Sequence, residues 1–226
     1  MNGKIAFEEH WSLLETLEDS RGFVGGSSHW DTFQKQILDL GDVRLAEMDK
    51  NGIEYTIVSL NAPAVHAVLE TDKAIDLARR ANDKLAELVA KRPDRFAGFA
   101  ALPMQDPDAA AAELARCVKD FGFKGALVNG FTQKGKPDNN LYYDIPMYRG
   151  FWGEVSKLDV PFYLHPRGNR ELSYEGHPWL TTSPWGFAAD TALHALRMCG
   201  SGLFDDYPKL KIIIGHMGEG IPYNLW

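Results

Sequence analysis

Three histidines and a glutamate stand at the ends of β-rich runs in this sequence. The first run ends in Glu8-Glu9-His10, the fifth ends in His165, and the sixth leads into His216. Because residues two apart on a strand share a face, we expect Glu8 and His10 to point together and Glu9 to point away. Imidazole nitrogens and a carboxylate suit a divalent cation such as zinc or manganese. The joint placement predicts a metal site, although each histidine alone could be an ordinary hydrogen-bonded residue.

Six βα-type repeats carry these residues. The predicted strands are rich in β-branched and aromatic side chains, and they span 4–8, 54–60, 96–101, 124–129, 160–165 and 210–215. Predicted helices lie at 42–50, 71–91, 108–121, 146–158 and 184–201. Several strands are apolar almost throughout, which is typical of a parallel sheet covered by helices on both faces. Active sites of such folds lie at the carboxyl ends of strands, where we expect these side chains to meet.

The repeats favour either a (β/α)8 barrel or a doubly wound α/β sheet. No GxGxxG or GxxxxGK[ST] loop follows a predicted strand, which weighs against a nucleotide-binding sheet. A closed barrel needs eight strands, so we expect 1–226 to be a single incomplete barrel domain holding the first six βα units. The glycine-containing stretch after the first strand is predicted to be a long functional loop, because it exceeds a simple βα turn.

Composition and charge exclude several classes of function. The net charge of −7 argues against nucleic acid or an anionic membrane as the main partner. No window approaches 18 consecutive apolar residues, and the N-terminal stretch does not read as a secretory signal. Cys117 and Cys199 lack CxxC partners and are predicted to be reduced, buried thiols of a cytoplasmic protein. The other histidines are interpreted as structural, loop or substrate-rim residues: His29, His66, His177 and His194.

Longer segments around the strand ends form a specific combination. They are GKIAFEEH (3–10), SLNAPAV (59–65), RRANDKLAE (79–87), RPDRFAGFAALPMQDPD (92–108), GFKGALVNGF (122–131), LDVPFYLHPR (158–167), GHPW (176–179) and KLKIIIGHMGEGIPY (209–223). Through them, essentially the whole chain resembles the aromatic-acid decarboxylase branch of the amidohydrolase superfamily, and most closely the group that acts on γ-resorcylate (2,6-dihydroxybenzoate).

The resemblance implies a role for each motif residue. Glu8, His10 and His165 would be the protein ligands of one divalent ion, with Glu-x-His in place of the His-x-His of hydrolytic relatives. His216 and Glu219 would be catalytic beside the substrate rather than metal ligands. Two further residues would contact the substrate: Phe23 against the aromatic ring and Asn129 at the rim of the site.

The implied reaction is the non-oxidative loss of CO2 from a hydroxybenzoate. γ-Resorcylate would give resorcinol, and 2,3-dihydroxybenzoate, salicylate, orsellinate and 5-carboxyvanillate stay open as substrates. The resemblance implies manganese or zinc, or else magnesium, with no organic cofactor, and a homo-oligomer (a dimer or a tetramer). Relatives also use a metal-binding aspartate and a substrate-holding arginine, both expected after Trp226. We therefore expect a truncated sequence with weak metal affinity and little activity by itself.

Two other readings stay open from the residues. The same metal site could activate water for hydrolysis of an amide, lactone or ester. A chain without the last two barrel strands could also be an inactive fragment with exposed sheet edges and apolar surface. Resorcinol formation without added organic cofactor discriminates the first reading, and the solubility and mass of the purified species discriminate the second.

Overall fold

The computed structural model describes residues 3–24, 27–168 and 174–223. The strands are β1 (Lys4–Trp11), β2 (Ile53–Leu60), β3 (Phe96–Gly98), β4 (Ala126–Asn129), β5 (Thr132–Lys134), β6 (Lys136–Leu141), β7 (Pro161–His165) and β8 (Lys211–Ile214). The helices are α1 (Ser27–Leu38), α2 (Asp42–Lys50), α3 (Thr71–Val89), α4 (Pro107–Phe121), α5 (Arg149–Leu158), α6 (Gly186–Gly200) and α7 (Leu203–Asp206). None of the described helices combines the length and the apolarity needed to cross a bilayer.

Six of these strands are parallel and follow one another in the order β1-β2-β3 and β4-β7-β8. A parallel bridge between Ala100 and Ala126 joins the two groups. Although β1 and β8 lie at opposite edges of this order, Glu8 of β1 bonds to the side chains of Tyr163 and His216. The sheet must therefore curl toward closure, as six consecutive strands of a (β/α)8 barrel do.

Local sequence explains where the covering helices begin and end. In α4, the Asp106 side chain accepts hydrogen bonds from the backbone N–H groups of Asp108 and Ala109, and Pro107 occupies the first turn. The helix ends at Gly122, whose φ of 68° is the left-handed conformation that glycine adopts without strain. The helices cover a large apolar core whose biggest fully buried side chains include Trp152, Phe96 and Phe162.

A second, smaller cluster fills the barrel interior. It joins Phe99, Leu127 and Tyr163 with the partly buried Ile57 and Ile213, so that five successive strands or strand ends each contribute one side chain. Side chains alternate across a strand, so the residues two positions further on form the next layer toward the carboxyl ends. That layer contains the predicted site, which therefore lies on a packed hydrophobic floor.

The six predicted barrel strands are confirmed, but the loop predicted after β1 is wrong in part. A 3-10 helix covers Leu14–Phe23, and α1 follows it. Trp30 and Ile37 of α1 pack with Leu17 in a small buried cluster, which gives this segment a core of its own. The glycines around it concealed this amphipathic spacing in the sequence.

The β5–β6 hairpin was also not predicted. Its second strand carries Pro137 and two asparagines, which have low strand propensity, and the turn depends on Gly135 at a φ of 72°.

The prediction of two buried thiols is wrong for Cys199. Cys117 is buried in α4, whereas Cys199 is exposed on α6. The buried face of α6 includes Thr191, His194, Ala195 and Met198, at helical spacing, and position 199 falls outside that face.

Candidate active site

The first strand directs Glu8 and His10 into the barrel mouth, as predicted. Glu9 points away, and its Oε2 accepts a hydrogen bond from Arg44 Nη1 at 3.1 Å. Between the pairs Ala6–Thr56 and Glu9–Val58, β1 advances by three residues while β2 advances by two, so β1 contains a bulge here. Bulges re-aim side chains next to active sites, and this one lies beside Glu8.

Three donor atoms converge at this mouth. The Nε2 atoms of His10 and His165 are 3.2 Å apart, and Glu8 Oε1 lies 3.6 Å from His165 Nε2. One ligand atom from each of these three residues lies within 4.8 Å of the other two. Ligand bonds of about 2.0–2.2 Å place donor atoms of one ion roughly 3.0–3.6 Å apart, so the set fits a single divalent cation. His10 Nδ1 lies 3.0 Å from Ser59 Oγ, a partner that fixes the ring when Nε2 is the ligand atom.

Burial keeps these two imidazoles neutral. Desolvation lowers the pKa of His10 to about 4, with Glu8 opposing and Arg44 reinforcing the shift. Desolvation likewise lowers the pKa of His165 well below its usual value, and the neighbouring His10 and His216 act in the same direction. A neutral ring has a lone pair for a cation, so both side chains are ready for ligation at neutral pH.

His216 links two carboxylates in the turn after β8. Its Nε2 lies 2.8 Å from Glu8 Oε1, and its Nδ1 lies 2.7 Å from Glu219 Oε1. His216 and Glu219 have left-handed backbone conformations, with φ values of 45° and 51°. The turn that contains them folds back toward β1. Glu219 is buried; burial raises the pKa of its carboxyl, and His216 opposes that shift.

A pocket of about 440 Å³ opens above the donor atoms, and Glu8, His10, His165 and His216 line it. Its other walls include apolar side chains of α1 and α6, namely Phe33, Ile37 and Phe187. Such a volume holds a single substituted ring, and the polar side chains in the lining can fix the orientation of that ring. The segment predicted to be a loop thus supplies part of the pocket wall.

Within the part of the chain that it describes, the structure does not place the two predicted substrate residues, Asn129 and Phe23, in the wall of this pocket. Asn129 ends β4 but is buried, and its side-chain N–H donates to the Asn61 carbonyl at 3.2 Å. Among the described residues it does not line the pocket. Phe23 ends the 3-10 helix, but its side chain lies outside those that the structure describes.

Sequence reasoning missed two residues that hold the donor set. Tyr163 donates its hydroxyl hydrogen bond to Glu8 Oε2, and Ser59 contacts His10. Strand alternation carried the missing signal for Tyr163, because it lies two positions before His165 on β7 and must share its face.

His66 and His194 serve the fold rather than the site. Both are buried, and their rings accept backbone hydrogen bonds from Asn129 at 3.3 Å and Tyr143 at 2.9 Å. Burial lowers the pKa of each to about 3.

These shifts predict acid lability of the metal-free protein. The unfolded chain takes up a proton on each histidine near pH 6.5, whereas the folded chain resists protonation down to about pH 3, so the unfolding free energy falls as the pH drops below 6.5. Each of these two histidines should lower the free energy of unfolding by about 2 kcal/mol between pH 7 and 5. Urea unfolding of wild type and His194→Gln across this range measures it. If the unfolding free energy of the variant depended on pH as steeply as that of wild type, His194 would not be a source of the acid lability.

Comparison with known proteins identifies the family of this chain. The sequence model of the amidohydrolase family matches residues 30–224. The chain is 61% identical to the gamma-resorcylate decarboxylase of Rhizobium sp. (strain MTP-10005), over all of this chain and 70% of that protein.

Two solved structures are also similar to this chain. A 2,6-dihydroxybenzoate decarboxylase complexed with 2,6-dihydroxybenzoate is 61% identical and superposes with a TM-score of 0.97, covering 100% of this chain and 70% of that one. The dihydroxybenzoic acid decarboxylase of Polaromonas sp. JS666, solved with manganese and the inhibitor 2-nitroresorcinol, is 58% identical with a TM-score of 0.97, over 100% and 69%. The chain therefore belongs to the amidohydrolase family, in the branch of the γ-resorcylate decarboxylases.

Proposed function

We propose that this protein is a metal-dependent decarboxylase that converts 2,6-dihydroxybenzoate to resorcinol and CO2 without oxidation. The observation that carries the proposal is the convergence of Glu8, His10 and His165 on one point at the base of a ring-sized pocket. The identity of 61% to a gamma-resorcylate decarboxylase supports this choice of substrate. We assign the three residues as ligands of one divalent ion, with manganese favoured by the Polaromonas structure and zinc or magnesium as alternatives.

The chemistry requires a proton before CO2 leaves. Direct loss of CO2 would leave an unstabilised carbanion on the ring, so the carbon that bears the carboxylate is protonated first, and solvent is the net source of this proton. The bond to the carboxylate then breaks, and its electron pair restores the aromatic ring. A bound divalent ion supplies a Lewis acid that orients the substrate carboxylate and stabilises the oxyanion beside it.

The chain's own residues orient the substrate and manage its phenolic proton. Phe33, Ile37 and Phe187 present apolar surface to the ring. His216, held at Nδ1 by Glu219, faces the donor set with Nε2 and is placed to accept the proton of an ortho hydroxyl. Loss of that proton increases electron density at the carbon to be protonated. We also keep Phe23 and Asn129 as proposed substrate residues.

We further propose that one barrel domain runs through the chain, and that the protein is a cytoplasmic homo-oligomer, either a dimer or a tetramer. Exposed Trp185, Leu193 and Leu196 on and beside α6 support self-association, because such apolar side chains favour protein contacts. The mass of the protein in solution tests this point.

A direct assay tests the function. The full-length protein, loaded with Mn²⁺ and incubated under nitrogen with 2,6-dihydroxybenzoate, should release resorcinol and CO2 in equal amounts, with no organic cofactor added. Chelation should abolish turnover, and Mn²⁺ should restore it. Hydrolysis of an amide, lactone or ester in place of CO2 release would instead identify a hydrolase and overturn the proposal.

A further inference from the structure

We propose that Tyr163 and Gly215 together orient the carboxylate of Glu8, and we call this pair the clamp. The clamp makes Glu8 bind the metal through one oxygen, the one that faces His10 and His165. The inference rests on the proposed metal site and adds two positioning residues to it. Neither residue donates an atom to the metal in this proposal. Each acts through Glu8.

Tyr163 is a rigid support for the carboxylate. Its side chain is only 4% exposed and belongs to the interior cluster with Phe99 and Leu127. The ring centroids of Tyr163 and Phe99 are 6.1 Å apart. From this packed position the hydroxyl donates a hydrogen bond to Glu8 Oε2. Because the ring is confined by its neighbours, the position of the hydroxyl is fixed by the core rather than by the metal site.

This bond distinguishes the two carboxylate oxygens. With Oε2 held by Tyr163, Oε1 is the oxygen that faces the histidines, 3.6 Å from His165 Nε2 and 2.8 Å from His216 Nε2. A glutamate without such a partner can bind through one oxygen or both, and it can swing between neighbours. The hydroxyl therefore selects one ligand atom and one direction of approach.

Gly215 leaves the space in which this pair meets. A Cβ atom at this position would lie 2.9 Å from Glu8 Oε2 and 3.1 Å from the Tyr163 hydroxyl oxygen. Its φ of −64° and ψ of 179° are ordinary for any residue, so the backbone does not require glycine here. The neighbouring Gly218 and Gly220 differ, because their φ values of 85° and 75° favour glycine by conformation. The reason for glycine at 215 is the approach of the carboxylate.

Tyr163→Phe tests the hydroxyl without removing the ring. We expect Mn²⁺ to bind about 10–100-fold more weakly, the usual effect of losing a group that orients a metal ligand. The electron paramagnetic resonance spectrum of bound Mn²⁺ should also change, because Glu8 is then free to adopt a second binding mode. The matched control is Tyr148→Phe, which removes another buried hydroxyl, bonded to the Met104 carbonyl at 2.6 Å and outside the donor set. Its Mn²⁺ affinity and spectrum should stay as in wild type.

Gly215→Ala tests the same clamp from the opposite side. The added methyl group must displace Oε2 or the hydroxyl, so Mn²⁺ affinity and spectrum should change as in Tyr163→Phe. Gly150→Ala is the control, since a Cβ there meets nothing within 4 Å. Wild-type affinity and spectrum in both Tyr163→Phe and Gly215→Ala would overturn the clamp and leave the metal site intact. Wild-type protein that binds no Mn²⁺ would overturn the proposed function as well.

Discussion

We expect His165→Ala to remove both the bound metal and the decarboxylase activity. His165 Nε2 lies 3.2 Å from His10 Nε2 and 3.6 Å from Glu8 Oε1, so its removal would leave only two of the three proposed ligands. Loss of a group that only orients a ligand weakens metal binding about 10–100-fold. Loss of the ligand itself should weaken metal binding more than about 100-fold. Metal content by elemental analysis and resorcinol formation measure the two losses.

Two controls keep this result specific. His177→Ala removes an exposed imidazole outside the donor set and should retain metal and turnover. The far-ultraviolet circular dichroism of His165→Ala should match wild type, because the substitution removes a side chain from a strand end and leaves the β7 ladder bonds in place. A variant that folds and retains its full complement of metal would refute the ligand assignment.

Strand periodicity was sufficient to predict that Glu8, His10, His165 and His216 meet at one mouth of the barrel, whereas the choice of the first three as metal ligands came from the family resemblance. Alternation on β1 places Glu8 and His10 on one face and sends Glu9 to Arg44, as the structure confirms. The rule that parallel strands end at one mouth then brings His165 to the same place, across 155 positions of sequence. Local pattern and fold rule agree for these residues, so no knowledge of detailed packing was needed.

The supports of the donor set depend on packing that periodicity does not encode. Tyr163 reads as one more apolar strand residue, and its hydroxyl matters only because the curled sheet brings β7 next to β1. The need for glycine at 215 depends likewise on where the carboxylate of another strand ends. The pocket wall formed by α1 required recognition of a short amphipathic helix among glycines, where local composition favoured a loop.

His216→Asn should abolish most of the turnover while the metal stays bound. A positioned acid or base contributes about 10²–10⁴-fold to rate, and we expect kcat to fall within that range. KM should change little, because the apolar walls and the three proposed ligands are untouched. This split between kcat and metal content distinguishes His216 from His165, although both rings lie close to Glu8.

Glu219→Gln refines the same test. The amide can still accept the hydrogen bond from His216 Nδ1 but carries no charge to stabilise a protonated ring, so kcat should fall less than in His216→Asn. If His216→Asn instead loses its metal as His165→Ala does, His216 is a ligand, and the phenolic proton must go elsewhere. The geometry favours the catalytic role, because the donor atoms that lie within 4.8 Å of one another come from Glu8, His10 and His165, and among the described residues His216 is not part of that set.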